Sequence, residues 1–497
     1  MSVSFNTIPS GVRVPLFYAE VDNSAAFTPS ESTQSLLIGQ MLDTGTAEAG
    51  KPVTVSTAAM AKQLFGRGSQ LARMVVAYRT VDSFGQLVCI PLADVTNSVA
   101  ASAEVTFSGK ATEAGTLSFY IGGSRVQVSV AEGAEAGVVA QALADAISRE
   151  KDLPVTAAAA AAVCTLTARN KGSLGNGILL ALNLRGLING EKTPAGLGVV
   201  LAAMASGTTD PEIAPAVKAM GDAQYDFIGV PYSDAAVLDA FQTEMNDTSG
   251  RWSPFRQIYG HVYTAKRGDV NALKTFGNAR NDQHCTIVGV EPELPTPIEE
   301  VLAAYLARTS VFISADPARP TQTGVLTGVM AAPSESRFIT TDRQTLLENG
   351  IATLTTTSGT VMIERAVTTY QRNSFGDADA SYLDSETMHT LAYVLRRMKS
   401  LITTKYARHK LANDGTRYGA GQAIVTPSVI RGELVALYRQ LELSGIVENA
   451  DLFKQYLIVE RNADNPNRLD VLFPPDLVNQ LRIFAVLTQF RLQYAEE

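Results

Sequence analysis

The most restrictive feature of the sequence is a regular alternation of short apolar runs and amphipathic segments between residues 210 and 308. The runs at residues 225–230, 257–262 and 284–290 have the length and composition of buried strands. Each is followed by a helical pattern of about 10–15 residues, which is typical of βαβ units. Because such crossovers make successive strands run parallel, this part of the chain is predicted to be an α/β unit.

The first hundred residues predict two buried strands that flank a pair of helices. A helical pattern at residues 58–65 stops at Gly66, and Ser69 is placed as the N-cap of a helix over residues 70–81. Compact apolar runs at residues 35–39 and 86–92 are expected to be strands.

Aromatic side chains are missing from a long stretch in the first half of the chain. No Phe, Tyr or Trp occurs between Tyr120 and Tyr225. Aromatic residues dominate cores because each buries a large area, so this stretch predicts a small module with an Ala/Val/Leu core and few tight contacts. Alternating strands at residues 115–121 and 125–130 precede an Ala-rich helix at 136–149. We interpret residues 98–209 as an inserted outer domain.

The last third contains a long amphipathic helix that concentrates positive charge. Between Thr387 and Asn413 there is no acidic residue, and the fixed positive charges are Arg396, Arg397, Lys399, Lys405, Arg408 and Lys410. The whole chain has a formal net charge of −8. A single-signed run in an acidic chain indicates a partner with an acidic surface, because surfaces normally mix both signs. A solvated face without a partner is the alternative.

Both ends of the chain have the alternating pattern of strands. The apolar positions are Val12, Val14, Leu16 and Tyr18 at the start and Phe490, Leu492 and Tyr494 at the end. A terminal strand needs a sheet to pair its backbone groups, and a neighbouring subunit can provide that sheet. Pairing within the same chain fits the pattern equally well.

Few residues are available for catalysis or metal binding. The chain has 4 His and 3 Cys, and no phosphate-binding loop, GxSxG or HExxH motif is present. The only adjacent Cys–His pair, His284 and Cys285, falls in an apolar strand and is expected to be buried. The acidic balance argues against nucleic-acid binding, and no apolar run approaches the roughly 20 residues of a membrane span. Without a leader, we expect a soluble chain with no cofactor and no membrane insertion.

Six short blocks outside residues 98–209 form an ordered pattern. They are Ser4-Phe5-Asn6-Thr7-Ile8-Pro9-Ser10, Leu64-Phe65-Gly66-Arg67-Gly68-Ser69, Gly277-Asn278-Ala279-Arg280-Asn281-Asp282, Glu364-Arg365-Ala366-Val367-Thr368-Thr369-Tyr370, Ser381-Tyr382-Leu383-Asp384 and Arg408-His409-Lys410-Leu411-Ala412. In this order they resemble the tail sheath proteins of Mu-like contractile-tailed bacteriophages. The resemblance implies a structural protein, not an enzyme, that polymerises as stacked hexameric rings around a tail tube and contracts to drive the tube through the host envelope.

The same resemblance implies partners and a location. The partners are further copies of the chain, the tail tube protein, and the baseplate and tail terminator proteins. The location is the virion tail, after assembly in the bacterial cytoplasm. A hydrolase built on the α/β unit, and a tail tube or baseplate component, are the alternatives.

The resemblance also implies a domain map within an α/β fold that is α+β overall. It comprises an N-terminal arm (1–22), a tube-proximal α+β domain (23–97 with 370–478), an inserted outer β-rich domain (98–209), a non-catalytic subtilisin-like α/β domain (210–369) and a C-terminal arm (479–497). The tube-facing residues would be Arg396, Arg397, Lys399 and Lys405. The strand-exchanging residues would be Val12, Val14, Leu16, Tyr18, Phe490, Leu492 and Tyr494.

Overall fold

The computed structural model describes residues 33–419 and 421–492. The N-terminal arm, with Val12, Val14, Leu16 and Tyr18, lies outside the described residues, and so does Tyr494. Among the described residues, no helix is long and apolar enough to cross a membrane.

The elements follow in chain order. The first group is β1 (Gln34–Gln40), β2 (Val53–Thr54), α1 (Ala58–Phe65), α2 (Gln70–Val81) and β3 (Gln86–Leu92). The second is β4 (Ser102–Gly109), β5 (Gly115–Ile121), β6 (Ser124–Val130), α3 (Ala136–Arg149), β7 (Val155–Ala160), β8 (Val163–Ala168), β9 (Leu180–Leu182) and β10 (Leu197–Leu201).

The second half of the chain continues the series. The third group is α4 (Ala214–Met220), β11 (Phe227–Gly229), α5 (Ala235–Met245), β12 (His261–Arg267), α6 (Val270–Asn278), β13 (Cys285–Val290), α7 (Ile298–Ala315), β14 (Val325–Met330), α8 (Thr340–Glu348), β15 (Ile351–Thr357) and β16 (Thr360–Arg365). The fourth is α9 (Ser385–Tyr406), β17 (Lys410–Leu411), β18 (Ile424–Val425), α10 (Pro427–Leu443), α11 (Ala450–Tyr456), β19 (Ile458–Arg461) and β20 (Leu469–Leu472).

A nine-stranded sheet organises the molecule, in the order β14-β16-β15-β13-β12-β11-β1-β3-β2. The strands from β3 to β15 in this order pair in parallel, and only the flanking strands β2, β16 and β14 are antiparallel. Helix α7 packs on one face and is buried along most of its length. The predicted α/β class is therefore confirmed.

The start of one strand of this sheet differs from the prediction made from the sequence pattern. The strand expected at residues 257–262 is wrong, since β12 starts only at His261. Gln257 has a φ of 52°, which ends any extended run there, and the Ile258 N–H donates to the Arg251 carbonyl at 3.0 Å, closing a turn.

The sheet also differs from the expected grouping of residues 23–97 with residues 370–478. Strands β1 and β3 are central members of the nine-stranded sheet, and β1 pairs in parallel with β11 through Ser35–Phe227 and Leu36–Ile228. The insertion interrupts this sheet between β3 and β11. Residues 34–92 therefore complete the α/β unit.

Residues 101–204 have a hydrophobic core of their own, formed by strands β4–β10 and helix α3. Its sheets have the orders β10-β4-β8-β7 and β6-β5-β9. The expectation of an Ala/Val/Leu core is wrong in one respect, because the aromatic rings of Phe107 and Phe119 are buried in it. Polar contacts tie this unit to the rest: the carboxylate of Asp152 contacts Lys62 at 2.8 Å and Arg67 at 2.9 Å.

The C-terminal elements pack around a hydrophobic core of their own, centred on α10. The rings of Tyr438 and Phe453 stack in it with centroids 3.7 Å apart. Strands β19 and β20 form a separate two-stranded sheet. None of residues 479–492 is part of a ladder in the single chain, so the terminal strand expected after residue 480 stays a prediction for the assembled state. Pairing of residues 479–492 with a described strand of the same chain is not observed.

Candidate assembly surfaces

The first half of α9 is buried against the nine-stranded sheet through polar groups. Glu386 is fully buried and its Oε1 accepts hydrogen bonds from the Thr321 N–H (2.8 Å) and hydroxyl (2.7 Å). One turn further, His389 Nε2 lies 2.8 Å from the Tyr263 hydroxyl of β12. Thr390 donates to the Pro317 carbonyl at 2.9 Å. This half of the helix is therefore held by hydrogen bonds as well as by packing.

Arg396 belongs to this buried contact, contrary to its expected place on a tube-facing surface. Its guanidinium forms an ion pair of 2.5 Å with Asp226, which directly precedes β11. It also donates to the Tyr259 carbonyl at 3.2 Å. Only 12% of the Arg396 side chain and 3% of the Asp226 side chain is exposed. Because both charges are withdrawn from water and paired with each other, Arg396 fixes α9 to the sheet.

Two buried histidines lie beside this ion pair. The rings of His261 and His389 are 5.6 Å apart. Burial, together with the positive charge of Arg396, lowers the pKa of His389 to about 3. Burial also holds the pKa of His261 well below its usual value, with the neighbouring histidines adding to the effect. Both rings are therefore neutral at neutral pH, as a dry interface requires.

The second, outer half of α9 packs through Met398, Leu401, Ile402 and Tyr406 against the C-terminal core and carries the remaining positive charges. Lys399 is exposed and has no ion-pair partner among the described residues. Lys405 is half exposed and forms an ion pair of 2.5 Å with Glu433 of α10. Arg397 is half-buried, and its Nε has no hydrogen-bond partner in the described part of the chain. The predicted cluster is thus split: three cations lie on the outer half, while Arg396 lies inside.

The segment after Arg482 exposes a series of large apolar side chains. They are Ile483, Phe484, Val486, Leu487, Phe490 and Leu492, each between 66% and 95% exposed. Apolar patches of this kind on soluble proteins mark interaction sites. Phe490 and Leu492, predicted from the alternating pattern, belong to it, while Ile483 and Leu487 lie on the same segment and were not among the predicted contacts.

The β19–β20 hairpin offers a complementary feature. Its two strands pair only with each other among the described residues, so the outer edge of each has open backbone groups. It also exposes Ile458 and Leu472. A two-stranded hairpin is only marginally stable in water, and added strands would cover both the edges and the exposed apolar side chains.

The α/β unit does not arrange its scarce reactive groups for catalysis. Burial raises the pKa of the Cys285 thiol, and a protonated thiol is a poor nucleophile. His284 is directed to Asp247, with Nε2 and Oδ1 3.0 Å apart. In the described ranges no group of three or more His, Cys, Asp or Glu residues lies close enough to hold a metal ion.

Comparisons with known proteins identify the family of the chain. The chain matches a model of the phage tail sheath protein central domain over residues 206–369 and of the phage tail sheath C-terminal domain over residues 377–491. It is 42% identical over 496 residues to the Mu-like prophage FluMu tail sheath protein of Haemophilus influenzae, covering 99% of this chain and 100% of the relative.

Two crystal structures have a similar fold. The sheath tail protein of Desulfitobacterium hafniense aligns with a TM-score of 0.50 and 12% identity, covering 95% of this chain and 97% of that one. The sheath tail protein of Listeria innocua aligns with a TM-score of 0.50 and 11% identity, covering 90% of this chain and 92% of that one.

Proposed function

Because this chain belongs to the phage tail sheath family, we propose that it is the repeating subunit of a contractile sheath. Copies would polymerise as helically stacked hexameric rings around a tail tube, and contraction would drive the tube through the host envelope. The relatives and the shared fold are those of structural tail proteins and not of enzymes, so the hydrolase alternative is dropped.

The observation that carries the proposal is the exposed apolar segment at residues 483–492. Leaving six large apolar side chains in water is unfavourable by about 1.5–3 kcal/mol for each side chain that a partner could bury. In a polymer, this segment would add as a strand to the β19–β20 hairpin of a neighbour. That addition would satisfy the hairpin edges and cover the apolar side chains of both partners.

The outer half of α9 provides the proposed contact with the tube. Arg397, Lys399 and Lys405 would face an acidic tube surface, whereas Arg396 is assigned to the fold. Exposed charges interact weakly and are screened by salt. A weak contact would hold the extended sheath on the tube and still let it slide during contraction. The baseplate and tail terminator would bind the two ends of the polymer.

Negative-stain microscopy of the concentrated protein tests the proposal. Wild-type protein is expected to form long hollow cylinders, and Phe490→Asp is expected to remain as folded single subunits. Phe84→Asp is the matched control, since Phe84 is 97% exposed on a different surface. Solid rods or isolated rings from the wild type would favour a tube or baseplate component instead. Cylinders formed equally well by Phe490→Asp would refute the role of the C-terminal segment.

A further inference from the structure

The exposed C-terminal segment separates from the rest of the molecule within a few residues. Up to residue 478 the chain follows the C-terminal unit: the Val478 N–H donates to the Ile446 carbonyl at 3.2 Å, and the Glu448 N–H donates to the Asp476 carbonyl at 2.9 Å. Leu481 is already 73% exposed, and from Ile483 onward all the large apolar side chains are exposed. The change from a segment bound to the C-terminal unit to an exposed segment occurs at residues 480–482.

Arg482 binds this point of the chain to the rest of the molecule. Only 10% of it is exposed, and its Nη2 lies 3.1 Å from Glu386 Oε1 and 3.4 Å from Asp384 Oδ1. Its Nη1 lies 3.3 Å from the side-chain oxygen of Gln322. Next to it, the Gln480 amide donates to the Ala318 carbonyl at 2.9 Å. Two neighbouring residues therefore bind the segment to the loop that follows α7 and to the start of α9.

The two acidic partners of Arg482 are themselves held by the sheet unit. Asp384 is paired with Arg365 of β16 at 2.8 Å, and it immediately precedes α9. Glu386 lies in the first turn of α9 and accepts both hydrogen bonds from Thr321. Among the described residues only Arg482 forms an ion pair with Glu386, so its loss would leave a fully buried carboxylate without a positive partner. Such a residual charge is strongly unfavourable.

We propose that Arg482 is a positioning residue that clamps the root of the C-terminal arm to the first turn of α9. The inference rests on the proposed function and specifies how force applied to the arm by a neighbouring subunit is transmitted into this subunit. The force is transmitted through Arg482 to Asp384 and Glu386, so residues 476–482 stay bound to the C-terminal unit. Because α9 continues as one helix from this turn to Lys399 and Lys405, arm and tube-facing cations move together.

The clamp is tested first in the single subunit, in a Phe490→Asp background that keeps the full chain unassembled. Arg482→Gln is expected to speed amide hydrogen exchange at residues 477–482 and 385–390 by about tenfold or more, because a buried pair has lost one partner. Arg149→Gln, the same change on the exposed face of α3, should leave both segments unchanged. Wild-type exchange rates in Arg482→Gln would overturn the proposal.

A charge-balanced double variant distinguishes two effects of Arg482: holding residues 477–482 in place and neutralising the buried charge of Glu386. Glu386→Gln combined with Arg482→Gln leaves no unpaired buried charge at this site, because Asp384 keeps Arg365 as its partner, so the melting temperature should return toward that of the background. We expect residues 477–482 to keep exchanging about tenfold faster, since neutral amides hold less tightly than the ion pair. Without Phe490→Asp, the double variant should form markedly fewer cylinders by sedimentation. Recovery of both exchange protection and cylinders would overturn the clamp, whereas a wild type without cylinders would overturn the proposed function alone.

Discussion

Arg396 illustrates at the scale of one residue how charge counting and geometry can diverge. Its sequence neighbours Arg397 and Lys399 have the same charge, but of the three only Arg396 is directed toward Asp226 and the Tyr259 carbonyl. The ion pair joins Arg396 to Asp226, which lies 170 positions earlier in the chain. No local pattern contains that information, so the sequence could indicate a basic helix but not which of its cations is buried.

The first prediction concerns this ion pair. Arg396→Gln should destabilise the protein by about 3–5 kcal/mol, because it leaves the buried Asp226 carboxylate without a positive partner. Lys399→Gln, three residues on and exposed, should change stability by less than about 0.5 kcal/mol. Chemical denaturation followed by circular dichroism compares the two. Equal, small effects would show that Arg396 is not part of the core contact of α9.

The buried His389 predicts a specific acid sensitivity. Its folded-state pKa of about 3 lies below the value of about 6.5 expected in the unfolded chain. Between these values the unfolded state binds a proton that the folded state does not. The free energy of unfolding therefore falls as pH drops through this window, by about 2–3 kcal/mol from this residue at pH 4.5.

His389→Gln should reduce this loss, since glutamine binds no proton in either state. The measurement is the difference in melting temperature between pH 7 and pH 4.5, which should be smaller in the variant than in the wild type. His409→Gln, at an exposed position just beyond α9, should keep the wild-type difference. If all three proteins lost the same number of degrees, His389 would not be the acid-sensitive group.

At the scale of elements, local signals placed most helices and strands correctly. The bounds predicted for α1, α2, β3, β5 and α3 agree with the structure. The Ser69 hydroxyl accepts the Ala72 N–H at 3.2 Å, as the cap prediction requires. Helix α7 was predicted to end near residue 308 but extends to Ala315. Residues 298–310 are almost all buried, so the helix has little amphipathic period from which its length could be predicted.

The outer half of α9 carries the prediction for tube binding. Lys399→Glu should weaken co-assembly of sheath and tube, and the defect should be larger at low salt, where exposed charges are less screened. Lys274→Glu on α6 is the matched control, because Lys274 is also an exposed helical lysine and the net charge changes equally. Co-sedimentation of sheath with purified tubes at two ionic strengths provides the readout. Equal binding by both variants at low salt would show that this face of α9 does not contact the tube.

At the scale of the whole molecule, the central sheet is assembled from segments that the insertion separates. The βαβ alternation predicted a parallel sheet within residues 210–308, and β11, β12 and β13 form it. That β1 and β3 extend the same sheet follows from backbone pairing across the inserted residues. Strand patterns indicate that a strand is buried but not which strand lies beside it, so the grouping of the N-terminal segment could not be derived from the sequence.

The insertion itself gives the last prediction. Its two ends meet, since the Val99 N–H donates to the Thr208 carbonyl at 3.1 Å, and its core draws only on residues 101–204. Residues 98–209 expressed alone should therefore melt cooperatively, as a domain with its own core does.

The remaining chain, closed by a short Gly/Ser linker, should keep the nine-stranded sheet and still form cylinders, but of smaller outer diameter. It should be less stable, because the buried Gln70 N–H loses its 2.7 Å bond to the Asn170 side chain, and an unsatisfied buried group costs about 1–3 kcal/mol. Melting curves and negative-stain images of both pieces check these expectations. An isolated insert without a cooperative transition would mean that its core depends on the α/β unit. Cylinders of unchanged diameter would mean that residues 98–209 do not lie on the outside of the sheath.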